Sequence, residues 1–224
     1  MTYETLIFDT ADSIATITLN RPDAANAMNP LMARELSAIA IKCDESPDIR
    51  AVVVRATGKM FCAGGDLGVF GEAGDGASAL IKEMAGDLHM SISRLTRMNA
   101  PVIAAVNGTA AGAGFSLALS ADLVISVDSA KFVMAYTNAG LSPDGSSSYF
   151  LPRRIGDRRA RELMLTNRVL SADEALDWGI VNQVVAEADL DETVGKLAAK
   201  IAAGPTLAYG QVKSLLNASF DNGL

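Results

Sequence analysis

Two glycine-rich turns carry the first chemistry legible in this sequence. Pro101 to Val106 is a short run of β-branched and small apolar residues that stops at Asn107-Gly108, the composition of a buried strand. Small residues then dominate through Gly114, and Phe115, Leu117, Ala118 and Leu119 read as the apolar face of a tightly packed helix. A strand that ends in such a turn and opens a helix exposes unpaired N–H groups able to hold negative charge. The turn has no Gly-x-x-x-x-Gly-Lys-Ser/Thr pattern, lacks the third glycine of a dinucleotide fingerprint, and contains no Lys or Arg between Asn107 and Ser120. The charge it suits is therefore small and transient, an enolate oxygen rather than a phosphate. Taken alone, the same residues also serve a plainer purpose, close packing of a helix on a strand.

A second turn of the same kind follows the valine-rich strand Ala51 to Ala56, in the segment Thr57-Gly58-Lys59-Met60-Phe61-Cys62-Ala63-Gly64-Gly65-Asp66-Leu67. If the two strands lie side by side in one sheet, each turn can aim one N–H at the same oxygen. Read by itself, Gly64-Gly65 is equally a simple loop.

The elements that must position these turns follow in order. Thr5 to Phe8 and Ile14 to Leu19 predict a hairpin joined at Thr10 to Ser13. Asn29-Pro30 has the form of a helix N-cap followed by proline at the first helical position, opening a helix to about Cys43. Phe70 to Ser78 is rich in Gly, Ala and acidic residues and reads as mobile and exposed. Ala79 to Met98 is an amphipathic helix with Leu80, Met84, Leu88, Leu95 and Met98 at helical spacing, and His89 flanks that stripe. Two strands, Asp122 to Val127 and Lys131 to Met134, precede the loop Ala139 to Gly145 and a helix over Ser146 to Leu151, and the segment Leu151 to Gly156 ends that helix and starts the next, Asp157 to Leu165. Ser171 and Glu174 form a capping-box pattern. A short β segment ends near Val185, and the helices Leu190 to Ala203 and Pro205 to Leu216 close the chain. The order predicts an α/β core over 1–156 followed by an all-helical part over 157–224.

Composition bounds the function classes. With 19 Lys plus Arg against 26 Asp plus Glu, the net charge of −7 argues against nucleic acid or a basic membrane surface as partner. Cys43 and Cys62 are too few and too far apart for a disulfide framework or zinc site, and His89 is the one histidine, so no metal is expected. The N-terminus has no basic start followed by an apolar block, and no run reaches membrane-spanning length. The expected location is the cytoplasm.

With both turns in view, the sequence resembles the crotonase (enoyl-CoA hydratase/isomerase) superfamily. The matching segments are Asn20-Arg21-Pro22 with Asn26-Ala27-Met28, Phe61 to Leu67, Pro101 to Asp122, Gly140 to Gly145, Leu151-Pro152-Arg153, and Ala175 to Val181, in family order along nearly the whole chain. The resemblance implies a spiral of ββα repeats with a helical C-terminal trimerisation region, assembled as a homotrimer or dimer of trimers. It implies an acyl-CoA thioester as ligand, coenzyme A entering with the substrate and no separate cofactor. The thioester oxygen would rest on the amides of Gly65 and Ala113, and the CoA along backbone around Ala25, Ala63, Asp66 and Leu67.

Hydratases of this family carry two glutamates, at positions that here read Ser116 and Tyr136. The acidic residue that remains is Asp144, the position used as acid/base by double-bond isomerases and by the ring-opening epoxide isomerases of phenylacetate breakdown. The segments around Tyr136, Asp144 and Phe150 look closest to the latter. As residues alone, Pro143-Asp144 reads as a helix N-cap. Aryl-CoA dehalogenases of the same superfamily use this aspartate as nucleophile with a histidine that His89 matches, Tyr136 standing where they carry tryptophan. Displacement or thioester hydrolysis through Asp144 and His89, hydration, and noncatalytic acyl-CoA binding are the alternatives. Related sequences continue into further helices, whereas this one stops at Asn222-Gly223-Leu224. Either the chain is truncated or its tail lies outside the sequence in hand.

Overall fold

The computed structural model describes residues 3–220; the chain end at Asn222 to Leu224, on which the truncation expectation rests, lies outside the described residues. The chain opens with the antiparallel hairpin β1 (Leu6–Ala11) and β2 (Ile14–Leu19). Asp12 and Ser13, both at positive φ, form the two-residue turn that matches strand twist. Helix α1 (Pro30–Glu45) starts as the sequence predicts: Asn29 accepts a hydrogen bond from the Met32 N–H, and Pro30 occupies the first turn.

Three ββα units follow. The first is β3 (Ala51–Ala56), β4 (Met60–Cys62), a short helix α2 (Leu67–Glu72) and the long helix α3 (Ala77–Arg97). The second is β5 (Val102–Val106), β6 (Thr109–Ala111) and α4 (Ala113–Ser120). The third is β7 (Leu123–Val127), β8 (Lys131–Val133) and α5 (Ser147–Thr166). The leading strands of the units share one sheet, order β1-β2-β3-β5-β7-β10, and the trailing strands share a second, order β4-β6-β8-β9. Each unit thus advances the chain by one strand in both sheets, which is a spiral. β5 is buried at every position, as its unbroken apolar run requires in a parallel sheet covered on both faces.

Two expectations change and one is sharpened. The stretch from Phe70 to Ser78 is exposed over much of its length but not irregular: Phe70 belongs to α2, capped by Asp66, and Gly74 to Gly76 form one 3-10 turn leading into α3. The break expected within Leu151 to Gly156 is at its last residue: the helix runs on through Pro152 and breaks at Gly156, whose φ of 80° and ψ of 158° no helix accommodates. The part after Asp157 is not all-helical. It contributes β9 (Leu170–Ser171) to the second sheet and β10 (Gln183–Val185) to the first, between α6 (Ala172–Asp177) and α7 (Leu190–Ala202), with α8 (Thr206–Ala218) last. The Ser171–Glu174 capping box is present. Among the described residues no helix is long and apolar enough to cross a membrane.

Candidate active site

The two glycine turns meet. β3 pairs with β5 in parallel, Val52 opposite Val102, and β4 pairs with β6, Met60 opposite Thr109. A Cβ placed on Gly64 would lie 3.1 Å from the Ala111 carbonyl oxygen and 3.5 Å from Gly112 Cα, so backbone from one turn rests on backbone from the other. Gly64 and Gly112 both have positive φ, at 99° and 49°, which explains glycine at each. Gly114 has a different reason: a Cβ there would fall 2.4 Å from the Cys62 carbonyl oxygen, because α4 packs directly on β4. The close-packing reading of the turn after β5 therefore holds at Gly114, while Gly112 answers to backbone conformation.

At this junction two amides keep their donors free. Met28 N–H donates to Gly64 O at 2.7 Å and Asp66 N–H to Met28 O at 2.9 Å, forming a parallel bridge around Gly65. The bridge uses the groups on either side of Gly65, so the Gly65 N–H turns to the opposite side of the strand. Ala113 is the first residue of α4, whose first-turn N–H groups have no intrahelical acceptor. Gly65 and Ala113 line one cavity of about 100 Å³, with Ala63, Leu67, Phe70, Tyr136 and Asp144 also in its wall. Two unspent donors on one largely apolar cavity are what a developing oxyanion requires.

Asp144 and Tyr136 are the titratable side chains of this lining. Tyr136 Oη donates to Asp144 Oδ1 at 2.6 Å, and Ser116 Oγ lies 2.8 Å from Tyr136 Oη. Ser116 also reaches the Asp144 carbonyl oxygen at 3.1 Å. The two positions where the sequence lacks glutamate thus touch the aspartate it keeps. Burial, reinforced by the adjacent Asp144 carboxylate, pushes the Tyr136 phenol far above the ordinary tyrosine range, so it stays a neutral donor. The N-cap reading of Asp144 does not describe its side chain. The helix that follows begins at Ser147, where Ser147 Oγ and N–H bond instead to the Asp144 carbonyl oxygen, at 2.8 and 3.1 Å.

His89 stands elsewhere. It is exposed, its Nε2 accepts the Gly145 N–H at 3.1 Å, and it lines a separate recess with Ser93 and Ser146. It touches the backbone next to Asp144 rather than the cavity.

Of the remaining expected residues, Ala63 N–H donates to Ala25 O at 3.1 Å, bringing those two together. Ala25 and Asn26 are both left-handed, with φ of 53° and 52°, and buried Asn26 fixes this turn by donating to Thr57 O and Met60 O, each at 2.8 Å. Asp66 pairs with Arg21 at 3.0 Å, and Arg21 also donates to Ala27 O. Leu67 is exposed at the cavity mouth. Phe70 is the site residue that sequence reasoning missed. The signal available was Asp66 as N-cap of a short apolar turn, hidden by the glycines around it.

A sequence profile of the enoyl-CoA hydratase/isomerase family matches residues 9–224. The 1,2-epoxyphenylacetyl-CoA isomerase of Escherichia coli is 39% identical over 94% of this chain and 81% of its own. The 4-chlorobenzoyl coenzyme A dehalogenase-2 of an Arthrobacter species is 39% identical over 91% of this chain and 74% of its own. The solved structure of a Mycobacterium smegmatis enoyl-CoA hydratase superposes with a TM-score of 0.90 at 32% identity, covering 99% of this chain and 85% of that one. The two-sheet spiral is the crotonase fold, and the chain belongs to the enoyl-CoA hydratase/isomerase family.

Proposed function

We propose that this protein is an acyl-CoA isomerase that moves a double bond, or opens an epoxide, with Asp144 as its single acid/base. The observation that carries this reading is that Asp144 is the one carboxylate in the wall of the cavity that holds the Gly65 and Ala113 amides. The thioester oxygen sits on those two N–H groups, and the CoA runs along the backbone of Ala25, Ala63, Asp66 and Leu67. For a 3-enoyl thioester, Asp144 takes the α proton and the C–H electrons pass to the thioester oxygen as an enolate. The enolate then collapses, drawing the proton from the Asp144 carboxylic acid onto the γ carbon, and the double bond now lies beside the carbonyl. The cycle uses no cofactor beyond the coenzyme A carried by the substrate.

Hydration needs a second group to activate water, and Ser116 and Tyr136 occupy the places where it would stand. Nucleophilic displacement with His89 as base is less well supported, because His89 Nε2 is committed to the Gly145 N–H outside the cavity. Assembly as a homotrimer or dimer of trimers belongs to the same proposal, and exposed Leu207, Leu215 and Leu216 on α8 offer apolar surface for it. Light scattering on the purified protein reads that state.

The test of the reaction is proton exchange at the α and γ carbons of a 3-enoyl-CoA in deuterated buffer, comparing the native protein with Asp144→Asn at equal CoA binding. Exchange or double-bond migration abolished by Asp144→Asn is the expected result. Exchange that survives the substitution removes Asp144 from the role. Inactivity of both proteins, with turnover of a halogenated aryl-CoA, would replace isomerisation by displacement.

A further inference from the structure

The cavity also carries a statement about the acyl group. Its volume, about 100 Å³, is well below the roughly 150 Å³ that holds one benzene ring in an engineered apolar cavity. Its wall beyond Tyr136 and Asp144 is apolar, and Phe70 closes it on the side of Gly65. A Cβ on Gly65 would lie 2.8 Å from Phe70 Cζ and 2.9 Å from Cε2, so the ring edge rests against the Gly65 backbone. The Met84 methyl is next, at 3.7 Å. The ring therefore lies beside one of the two free amides. An acyl chain whose carbonyl oxygen is held there must run past Phe70 or stop at it.

We propose that Phe70 is the specificity-determining residue of this site, limiting it to a short, compact, uncharged acyl group. The length limit follows from position, since the ring rests against the Gly65 backbone, beside an amide that holds the thioester oxygen, and a longer chain meets it. The exclusion of charge follows from the wall, which offers no cation to a second carboxylate, and burying an unpaired charge is far costlier than burying methylenes. Phe70 can set the limit because α2 is short and held at its start, where Asp66 caps it and pairs with Arg21. This inference rests on the proposed acyl-CoA binding but not on isomerase chemistry.

Saturated thioesters separate the two. Affinities of butyryl-CoA and octanoyl-CoA are measured by calorimetry for the native protein, Phe70→Ala and Phe70→Leu, with melting temperatures to confirm folding. In a pocket with room, each added methylene tightens binding about fourfold. The expected result is the reverse in the native protein, octanoyl-CoA binding at least tenfold more weakly than butyryl-CoA. Phe70→Ala should then restore preference for the longer chain, with Phe70→Leu between. Native protein that prefers octanoyl-CoA, or a ratio that Phe70→Ala leaves unchanged, overturns the proposal while leaving the isomerase reading intact. Binding in the expected order without double-bond migration overturns the isomerase reading instead. Failure of both thioesters to bind overturns both.

Discussion

Tyr136 Oη lies 2.6 Å from Asp144 Oδ1, and this one hydrogen bond fixes which oxygen of the carboxylate remains for chemistry. Oδ1 accepts the phenolic hydrogen bond, so under the proposed mechanism a proton taken from substrate goes to Oδ2. Ser116 supports the pair from α4, with Oγ 2.8 Å from Tyr136 Oη and 3.1 Å from the Asp144 carbonyl oxygen. A serine and a tyrosine bonded to the one carboxylate of the cavity lining are what the proposed single-carboxylate site requires.

Replacing Tyr136 with Phe keeps the ring and removes the donor. Hydrogen bonds to charged groups contribute about 1.5–3 kcal/mol. If about half of that orients Asp144 in the transition state, kcat falls about four- to tenfold with KM nearly unchanged. Ser116→Ala should cost less, because the phenol keeps its bond to Asp144. Steady-state kinetics of both variants on the substrate that exchanges protons checks the order, and a Ser116 effect larger than the Tyr136 effect would refute it.

The peptide joining Asp144 to Gly145 is held at both ends. Ser116 and Ser147 bond to its carbonyl oxygen, and His89 Nε2 accepts its N–H at 3.1 Å. Gly145 is left-handed with φ of 57°, and a Cβ there would meet Ser116 Cβ at 2.7 Å. His89 is thus a positioning residue for Asp144. His89→Ala should lower kcat about tenfold or more with little change in KM, since small displacements of a reacting group are costly. His89→Gln, whose amide oxygen can also accept the N–H, should recover most of the loss. Equal loss in both variants would mean that the imidazole does something other than accept this bond.

The fold was legible wherever apolar runs were long enough to show a period. The hairpin, α1, α3, β5 and β7 are where the sequence places them, and the crotonase resemblance carried the spiral that ties them together. The second sheet was harder to see: β8 was read as a short strand, but β4 and β6, three residues each beside the glycine turns, are too short for alternation to register. The site was half legible. Glycines at Gly64-Gly65 and Gly112 announced the turns, since only backbone conformation and close approach demand them. Phe70 did not, because its neighbours are glycines and its burial depends on Gly65 across a turn. Tyr136 showed as a departure from a family pattern, but its bond to Asp144 spans a loop whose shape no local period encodes.

Gly114 separates packing from catalysis. Its missing Cβ would overlap the Cys62 carbonyl oxygen at 2.4 Å, and Cys62 Cβ at 2.5 Å. Overpacking against backbone costs about 1–3 kcal/mol or more. Gly114→Ala should therefore lower the urea midpoint, and its effect on activity should follow only from displacement of α4. A stability equal to that of the native protein would show that α4 can shift away from β4 without cost.

Stability should also fall on the alkaline side, for a reason built into the core. Burial raises the Cys62 thiol to about 11 and the Cys43 thiol to about 12, against an ordinary value of 9.0. Above pH 9 the unfolded chain releases these protons while the folded chain retains them, so the unfolded state binds fewer protons and stability declines as pH rises. Each thiol contributes a slope of at most about 1.4 kcal/mol per pH unit. The stabilisation is fully present below the unfolded thiol pKa and is lost as pH climbs towards the folded values. Urea unfolding between pH 8 and about pH 9, below the range in which tyrosines and lysines of the unfolded chain ionise appreciably, reads mainly the thiols. Cys62→Ala should start from a lower stability, because it opens a small gap beneath α4, yet show a shallower decline with pH than the native protein. Parallel slopes would mean that the Cys62 thiol is not the group whose ionisation drives alkaline unfolding.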